Sequence, residues 1–449
     1  MIRFINRDNE LNLLTEEWNK EQAQFIVIYG RRRIGKTSLI TEFTKNKKGV
    51  FYIAEDVNKK VQIHDFKEKI ANYFQDDLLK NLEIMKWKDL FSYLEKIIPK
   101  NEKMHITIDE FSYFIKNDPS LTSSLQKFWD MFLSKTNIML IVSGSIFGLM
   151  SEKILSSSSP LYGRRSRDLL LKEMNFKNSS FFLDMAFEEK LKTYMTIGGV
   201  PEYLLKAKYY PDSKEFIEKE FINHDGYFFR EPYFLLSQEF KEIKTYFTII
   251  NAIAYGNTKP SHISNFAGIR TREIYPYLEN LIRLNFIKKI TPIHNNRYGI
   301  YIIKDVFFDF WFNFVHKNRD KIERNQYKLS KKDLNTYLGK RFEIIVRDEF
   351  IAKMIKADTI EKWWYKDKEI DIVTVDNKNK QINFLECKYK SLSYNLVLNI
   401  IKDLENKSSH VNLYNDERKE KFGVIAKKID KKDELRKQGF LVYDFQDWK

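Results

Sequence analysis

Residues 30–37, Gly-Arg-Arg-Arg-Ile-Gly-Lys-Thr, satisfy the spacing G-x-x-x-x-G-K-[ST]. Glycines at both ends let backbone N–H groups curl around a β-phosphate at the start of a helix. Lys36 then reaches the β- and γ-phosphates, and the Thr37 hydroxyl ligates Mg²⁺. The expected nucleotide-binding set is Gly30, Arg31, Arg32, Arg33, Ile34, Gly35, Lys36, Thr37 and Ser38. A second apolar run, Ile106-Thr107-Ile108, ends in Asp109-Glu110. Asp109 is placed to hold Mg²⁺ through water, and Glu110 to orient or deprotonate the attacking water. No NKxD guanine-reading element occurs, so ATP is the expected nucleotide.

A different chemistry is written near the other end. Asp371, Glu386 and Lys388 are spaced D-x₁₄-E-x-K, within EIDIVTV and INFLECKY. If both runs are strands, Glu386 and Lys388 share one face and Cys387 takes the other. Two carboxylates on neighbouring strands repel unless a cation joins them. Mg²⁺ accepts one or two carboxylates plus water and phosphate oxygens, and Mn²⁺ is the alternative there. A lysine beside them stabilises charge developing at phosphorus. Asp371 and Glu386 are therefore the expected metal ligands, with Lys388 catalytic and Glu343, on the preceding helix, supporting the metal or water. The competing reading is a plain Glu–Lys pair on an exposed strand.

Three further groups bear on phosphate chemistry. Ser143-Gly144-Ser145 ends a strand where a polar residue can sense a γ-phosphate. Arg164, beside Arg165 in LYGRR, is the candidate arginine finger, with nonspecific anion binding as the alternative. Ile274, Leu278, Leu281 and Ile282 trace one apolar helical face, with Thr271 as its expected cap. Arg270 and Arg272 then stand at the end of a helix that reads DNA or contacts protein. Pro276 delays or kinks that helix.

The elements that must position these groups follow from periodicity. FIVIY (25–29), FYIAE (51–55), HITIDEF (105–111) and NIMLIVSGS (137–145) read as buried strands. FYIAE, lying between the two nucleotide motifs, is expected to insert between their strands, an arrangement of ATPases with a catalytic glutamate. One long helical stretch is expected over about 60–98. Strands alternating with helices over 1–175 predict a parallel α/β sheet. Residues 176–240 read as helical, broken at IGGVP (197–201). Residues 241–315 read as helix, helix, helix and a two-stranded wing (IKKITPI, RYGIYII), followed by a connecting segment. Residues 316–332 read as a charged linker or an exposed helix, and 333–449 restart with a helix and strands.

The chain has 449 residues, 43% hydrophobic and 15% aromatic, enough for several packed cores. Its net charge of +15 favours a polyanionic partner such as nucleic acid or nucleotide phosphates, with a lysine-rich background as the plain alternative; of the nucleic acids, DNA is the one expected. One cysteine, Cys387, excludes an internal disulfide and a cysteine zinc site and fits a reducing, cytoplasmic setting. No run of about 18 apolar residues and no signal-type segment is found, so no membrane partner is expected. Homo-oligomerisation is left open.

Taken together, FINRDNELNLL (4–14), YGRRRIGKTSLI, TIDEFSY, SGS, PLYGRR, GGVPEYL (198–204), YIIKDVFFDFWFNFV (301–315), GKRFEIIV, EIDIV and ECKY resemble the archaeal-type P-loop ATPases, also found in bacteria, that end in a PD-(D/E)XK nuclease-like domain. The resemblance spans nearly the whole chain. It implies an α/β fold: a P-loop NTPase sheet (1–175), a helical lid (176–240), a winged helix (241–315) and a restriction-endonuclease-like tail (333–449). It implies ATP and Mg²⁺ at Gly35, Lys36, Thr37, Asp109 and Glu110, and nuclease roles for Glu343, Asp371, Glu386 and Lys388. The proline before Asp371 is replaced by Ile370. A signalling-type ATPase switch, whose winged helix and tail only bind DNA or protein, is the alternative expectation.

Overall fold

The first four strands are short, nearly unbroken apolar runs, the composition of strands buried on both faces of a parallel sheet. The structure, a computed structural model, describes residues 4–291, 293, 299–414 and 417–448. The chain folds into two units, one of Met1–Asp184, Gly199–Tyr209 and Ser237–Lys241, the other of Met185–Gly198, Tyr210–Leu236 and Glu242–Lys449. The stretch expected as a lid, 176–240, is thus divided between both.

In the first unit, β1 (Gln24–Tyr29), β2 (Gly49–Ile53), β3 (Met104–Asp109), β4 (Ile138–Gly144) and β5 (Arg167–Leu170) form a sheet in the order β2-β3-β4-β1-β5. All of its pairings are parallel. Side chains alternate across it. Phe25 and Val27 join Trp87 and Phe114 on one side, while Ile26 and Ile28 join Leu39 and Phe43 on the other. Each such burial contributes roughly 1.5–3 kcal/mol. Two expectations are corrected. The strand between β1 and β3 is β4; β2, which contains most of FYIAE, pairs only with β3 at the sheet's edge. The helical stretch over 60–98 is three helices, Lys59–Phe74, Asp77–Asn81 and Trp87–Ile97. Gln75 turns left-handed (φ 54°) after the first, and the Asp76 carboxylate caps the second by accepting from Leu79 N at 2.8 Å.

The second unit contains helices Ile243–Ala254, Pro260–Ala267 and Ile274–Arg283, followed by the antiparallel pair β6 (Ile287–Ile290) and β7 (Ile300–Ile303). Pro292, Arg297 and Tyr298 of the expected wing lie outside the described residues. The third helix starts at Ile274, so Pro276 falls in its first turn, where its missing N–H costs nothing. Thr271 does not cap it; its hydroxyl pairs with Ser264 Oγ at 2.9 Å. Ile274, Leu278 and Leu281 are buried, but Ile282 is partly exposed, because it lies at the margin of the apolar stripe. The segment 316–332, expected as a linker or an exposed helix, is partly helical (Arg319–Glu323) and buries Ile322.

A second sheet closes this unit in the order β12-β11-β10-β9-β8, built from β8 (Thr359–Tyr365), β9 (Lys368–Asp376), β10 (Gln381–Leu392), β11 (Lys419–Ile429) and β12 (Leu441–Tyr443). β10 runs antiparallel to β9 and parallel to β11. Ile370, Val373, Phe384 and Leu404 form one core, while Leu392, Val397, Ile401 and Val424 form another. The helix Lys331–Ile345 brings Glu343 to this sheet.

Candidate functional site

The phosphate loop is held in shape by its backbone and by a ring of anchors. Gly30 (φ 153°) passes so close to Leu171 that a Cβ there would lie 2.5 Å from the Leu171 carbonyl oxygen. Arg33 (φ 68°) and Gly35 (φ 92°) take left-handed conformations, turning the chain into the helix Lys36–Thr44. Lys36 is 5% exposed, and its ammonium donates to the main-chain oxygens of Gly30 and Arg31, both at 3.1 Å. Burial pushes its pKa down, against the pull of Glu110 and Asp109.

β3 and β4 deliver the facing acids. Asp109 is 1% exposed and accepts hydrogen bonds from the hydroxyls of Thr37 and Ser143. Glu110, left-handed at φ 55°, accepts from Ser145 Oγ at 2.6 Å and Ser145 N at 3.2 Å. A lysine, a hydroxyl and two carboxylates thus surround one loop, the donor set that suits a phosphate chain with its magnesium ion.

The second cluster is built on β9 and β10. Their last registered pair is Leu385 with Ile372, so Glu386 and Asp371 each lie one residue beyond the paired ladder. Asp371 Oδ2 accepts from the Cys387 main-chain N–H at 2.9 Å. Burial, then the Glu386 charge, pushes the Asp371 carboxyl up to about 6. Burial and the charge of Asp371 push Glu343 up to about 7. Lys388 Nζ donates to Glu386 Oε1 at 2.7 Å, while Glu386 Oε2 is buried without a hydrogen-bond partner. Crowded carboxylates with one orphaned oxygen fit a divalent cation. Among the described residues no three His, Cys, Asp or Glu side chains form a metal-holding group, so such an ion would rest on the pair Asp371 and Glu386.

Residues 4–207 match the family model described as "ATPase domain predominantly from Archaea". Residues 311–400 match one described as "Archaea bacterial proteins of unknown function". An uncharacterized protein of Methanocaldococcus jannaschii is 33% identical over 461 residues, covering 99% of this chain and 100% of that protein. The chain belongs to this ATPase family. An uncharacterized ATP-binding protein of the same organism is 50% identical over 48 residues, 11% of this chain and 81% of that one. The Walker-type ATPase of Pyrococcus abyssi shares the fold, with a TM-score of 0.51, 20% identity, and coverage of 69% of this chain and 96% of that chain. No helix among the described residues of the ATPase is long and apolar enough to cross a membrane.

The structure brings Gly30, Lys36, Thr37, Asp109, Glu110, Ser143 and Ser145 together, and likewise Glu343, Asp371, Glu386 and Lys388. The loop arginines serve as anchors. Arg31 pairs with Glu173 at 3.2 Å, Arg32 with the Tyr113 hydroxyl, and Arg33 with Glu202 at 3.5 Å while lying over the Tyr203 ring. Glu202 and Tyr203 belong to GGVPEYL, so that signature fastens the loop. Arg164 forks onto Asp130 at 2.7 and 2.8 Å and also donates to the carbonyls of Pro160 and Tyr162. Sequence reasoning misses two residues of this ATPase. Arg7 donates to the carbonyl oxygens of Ile34 (3.2 Å) and Lys172 (2.8 Å), and the Arg7–Glu10 pair in FINRDNELNLL is the available signal. Lys362 lies among the tail carboxylates, and only its own strand points to it.

Proposed function

We propose that this ATPase binds and hydrolyses ATP with Mg²⁺ and processes DNA, its nucleotide state gating phosphodiester cleavage at Asp371, Glu386 and Lys388. The observation that carries the second half is Asp371 bonded to the main-chain N–H of Cys387, next to Glu386, with Glu386 Oε2 orphaned and Lys388 donating to Glu386 Oε1.

At the loop, Lys36 exchanges its two main-chain acceptors for phosphate oxygens of ATP. Glu110, oriented by Ser145, accepts the proton of the attacking water. Thr37 and Asp109 are the residues to hold Mg²⁺, which when bound offsets phosphate charge. Arg164 serves as arginine finger once released from Asp130. At the tail, Asp371 and Glu386 would hold Mg²⁺ or Mn²⁺, which would polarise the scissile phosphate. Lys388 donates to a non-bridging oxygen, and Glu343 orients the water. The segment 241–315 supplies a winged helix that contacts DNA through Arg270 and Arg272, both exposed. The residue spans 1–175, 176–240, 241–315, 316–332 and 333–449 are proposed as its functional domains.

The test incubates plasmid with ATP and Mg²⁺ or Mn²⁺ and wild type, Lys36→Ala or Asp371→Ala protein. Cleavage lost in both variants supports the reading; cleavage absent from wild type, or persisting in Asp371→Ala, sinks its nuclease half. A second reading, a signalling switch whose tail only binds, is favoured by the lysines that ion-pair the tail acids. It expects ATP-dependent DNA or protein binding that survives Glu386→Ala and disappears in Lys36→Ala.

A further inference from the structure

The β8–β9 ladder slips by one residue beside the acidic cluster. Glu361 pairs with Val373, yet Trp363 pairs with Ile370, so Asp371 and Ile372 together face the single residue Lys362. Bulges of this kind re-aim side chains. Trp363, 6% exposed, is packed into the core, and alternation along β8 sends Lys362 to the opposite face. Its ammonium lies 2.9 Å from Glu369 Oε2, 3.8 Å from Glu343 Oε2 and 3.9 Å from Asp371 Oδ1. Lys388 is engaged elsewhere, on Glu386 at 2.7 Å. Glu369 is the exposed member of the acid group, with 62% of its side chain accessible, against 5% for Asp371.

We propose that Lys362 is the built-in counter-ion of this cluster, and that its ammonium competes with a divalent cation for the carboxylate of Asp371. The proposal rests on the reading of the cluster as a cation-holding cleavage site. An ammonium is a compact cation that only donates; held on Glu369, it faces Asp371 Oδ1 at 3.9 Å and offsets the charge an ion would meet there. An arriving ion repels it, and Glu369, its 2.9 Å partner and the exposed member of the group, draws it away from Asp371. Lys362 therefore sets how much free divalent ion the site needs before it loads.

The test titrates Mn²⁺ into nucleotide-free, full-length protein in a Lys36→Ala background, followed by electron paramagnetic resonance. Lys362→Met is expected to tighten the Asp371-dependent binding about tenfold or more, the effect of removing a unit charge some 4 Å away. Lys362→Arg, which keeps the charge, stays near wild type. In wild type, acetylation of Lys362 read by mass spectrometry rises when Mg²⁺ is added, because the ion expels the amine; this readout stands even should Lys362→Met fail to fold. Unchanged or weaker Mn²⁺ affinity in folded Lys362→Met, or protection of Lys362 by Mg²⁺, overturns the proposal and leaves the cleavage reading standing. Absence of any Asp371-dependent Mn²⁺ binding in all variants overturns the cleavage reading itself, and the competition with it.

Discussion

The guanidinium of Arg7 donates to the main-chain oxygen of Ile34, inside the phosphate loop, and to that of Lys172, just beyond β5. One side chain from the N-terminal segment therefore ties the loop to the strand edge behind it. Arg7→Ala removes two charge-assisted hydrogen bonds, each worth about 1.5–3 kcal/mol. The expected result is a lower unfolding midpoint together with weaker ATP binding, measured by chemical denaturation and calorimetry. Arg7→Lys recovers little, because an ammonium lacks the fork that reaches both carbonyls and Glu10.

Gly30 admits no side chain. Gly30→Ala drives a Cβ to within 2.5 Å of the Leu171 carbonyl oxygen at a φ of 153°. A cost of about 2 kcal/mol or more is expected, since backbone gives way poorly. ATP binding should fall further than global stability, because the displaced atoms belong to the loop.

His105 makes stability depend on pH. It is 2% exposed on β3, its Nδ1 2.9 Å from Thr107 Oγ1, and burial pushes its pKa down to about 4 from the ordinary 6.5. The unfolded chain therefore binds this proton more readily than the folded one. Its contribution is complete above pH 6.5 and declines as the pH falls towards 4, by roughly 3 kcal/mol over the interval. Urea midpoints measured across that range should show the slope, and His105→Gln should remove it.

Asp371, 4% exposed, feels the charge of the partly buried Glu386. Asp371→Asn relieves that repulsion while keeping an oxygen for the Cys387 N–H. A gain on the order of 1 kcal/mol in stability, alongside lost Mn²⁺ binding, is expected. Thermal unfolding with and without Mn²⁺ measures both.

Contiguous motifs are legible in the chain itself. The phosphate loop carries its spacing in eight adjacent residues, and β1, β3 and β4 announce themselves as apolar runs. Asp371, Glu386 and Lys388 carry a legible spacing, and strand alternation puts Glu386 and Lys388 on one face. Strand order is not legible in this way: FYIAE and NIMLIVSGS are equally apolar, and only the crossovers decide which lies beside β1. β5 and β8 are short or mixed in composition, RDLL and TIEKWWY, and carry little periodicity. The anchoring of Arg31, Arg32 and Arg33 by Glu173, Tyr113 and Glu202 joins distant segments, and a charged triplet in a loop looks the same whether it grips phosphate or protein. Thr271 does not cap because its hydroxyl is taken by Ser264 on the preceding helix, a partner the spacing of the third helix does not reveal.

The lone sulfhydryl, Cys387, is sealed at 3% exposure within β10, its own N–H fastened to Asp371. Burial pushes its pKa up, so it is inert to alkylating reagents while that sheet stays shut. Its labelling rate is consequently a clock for transient opening of the tail, readable in unmodified protein, and anything that grips the acids beside it should slow that clock.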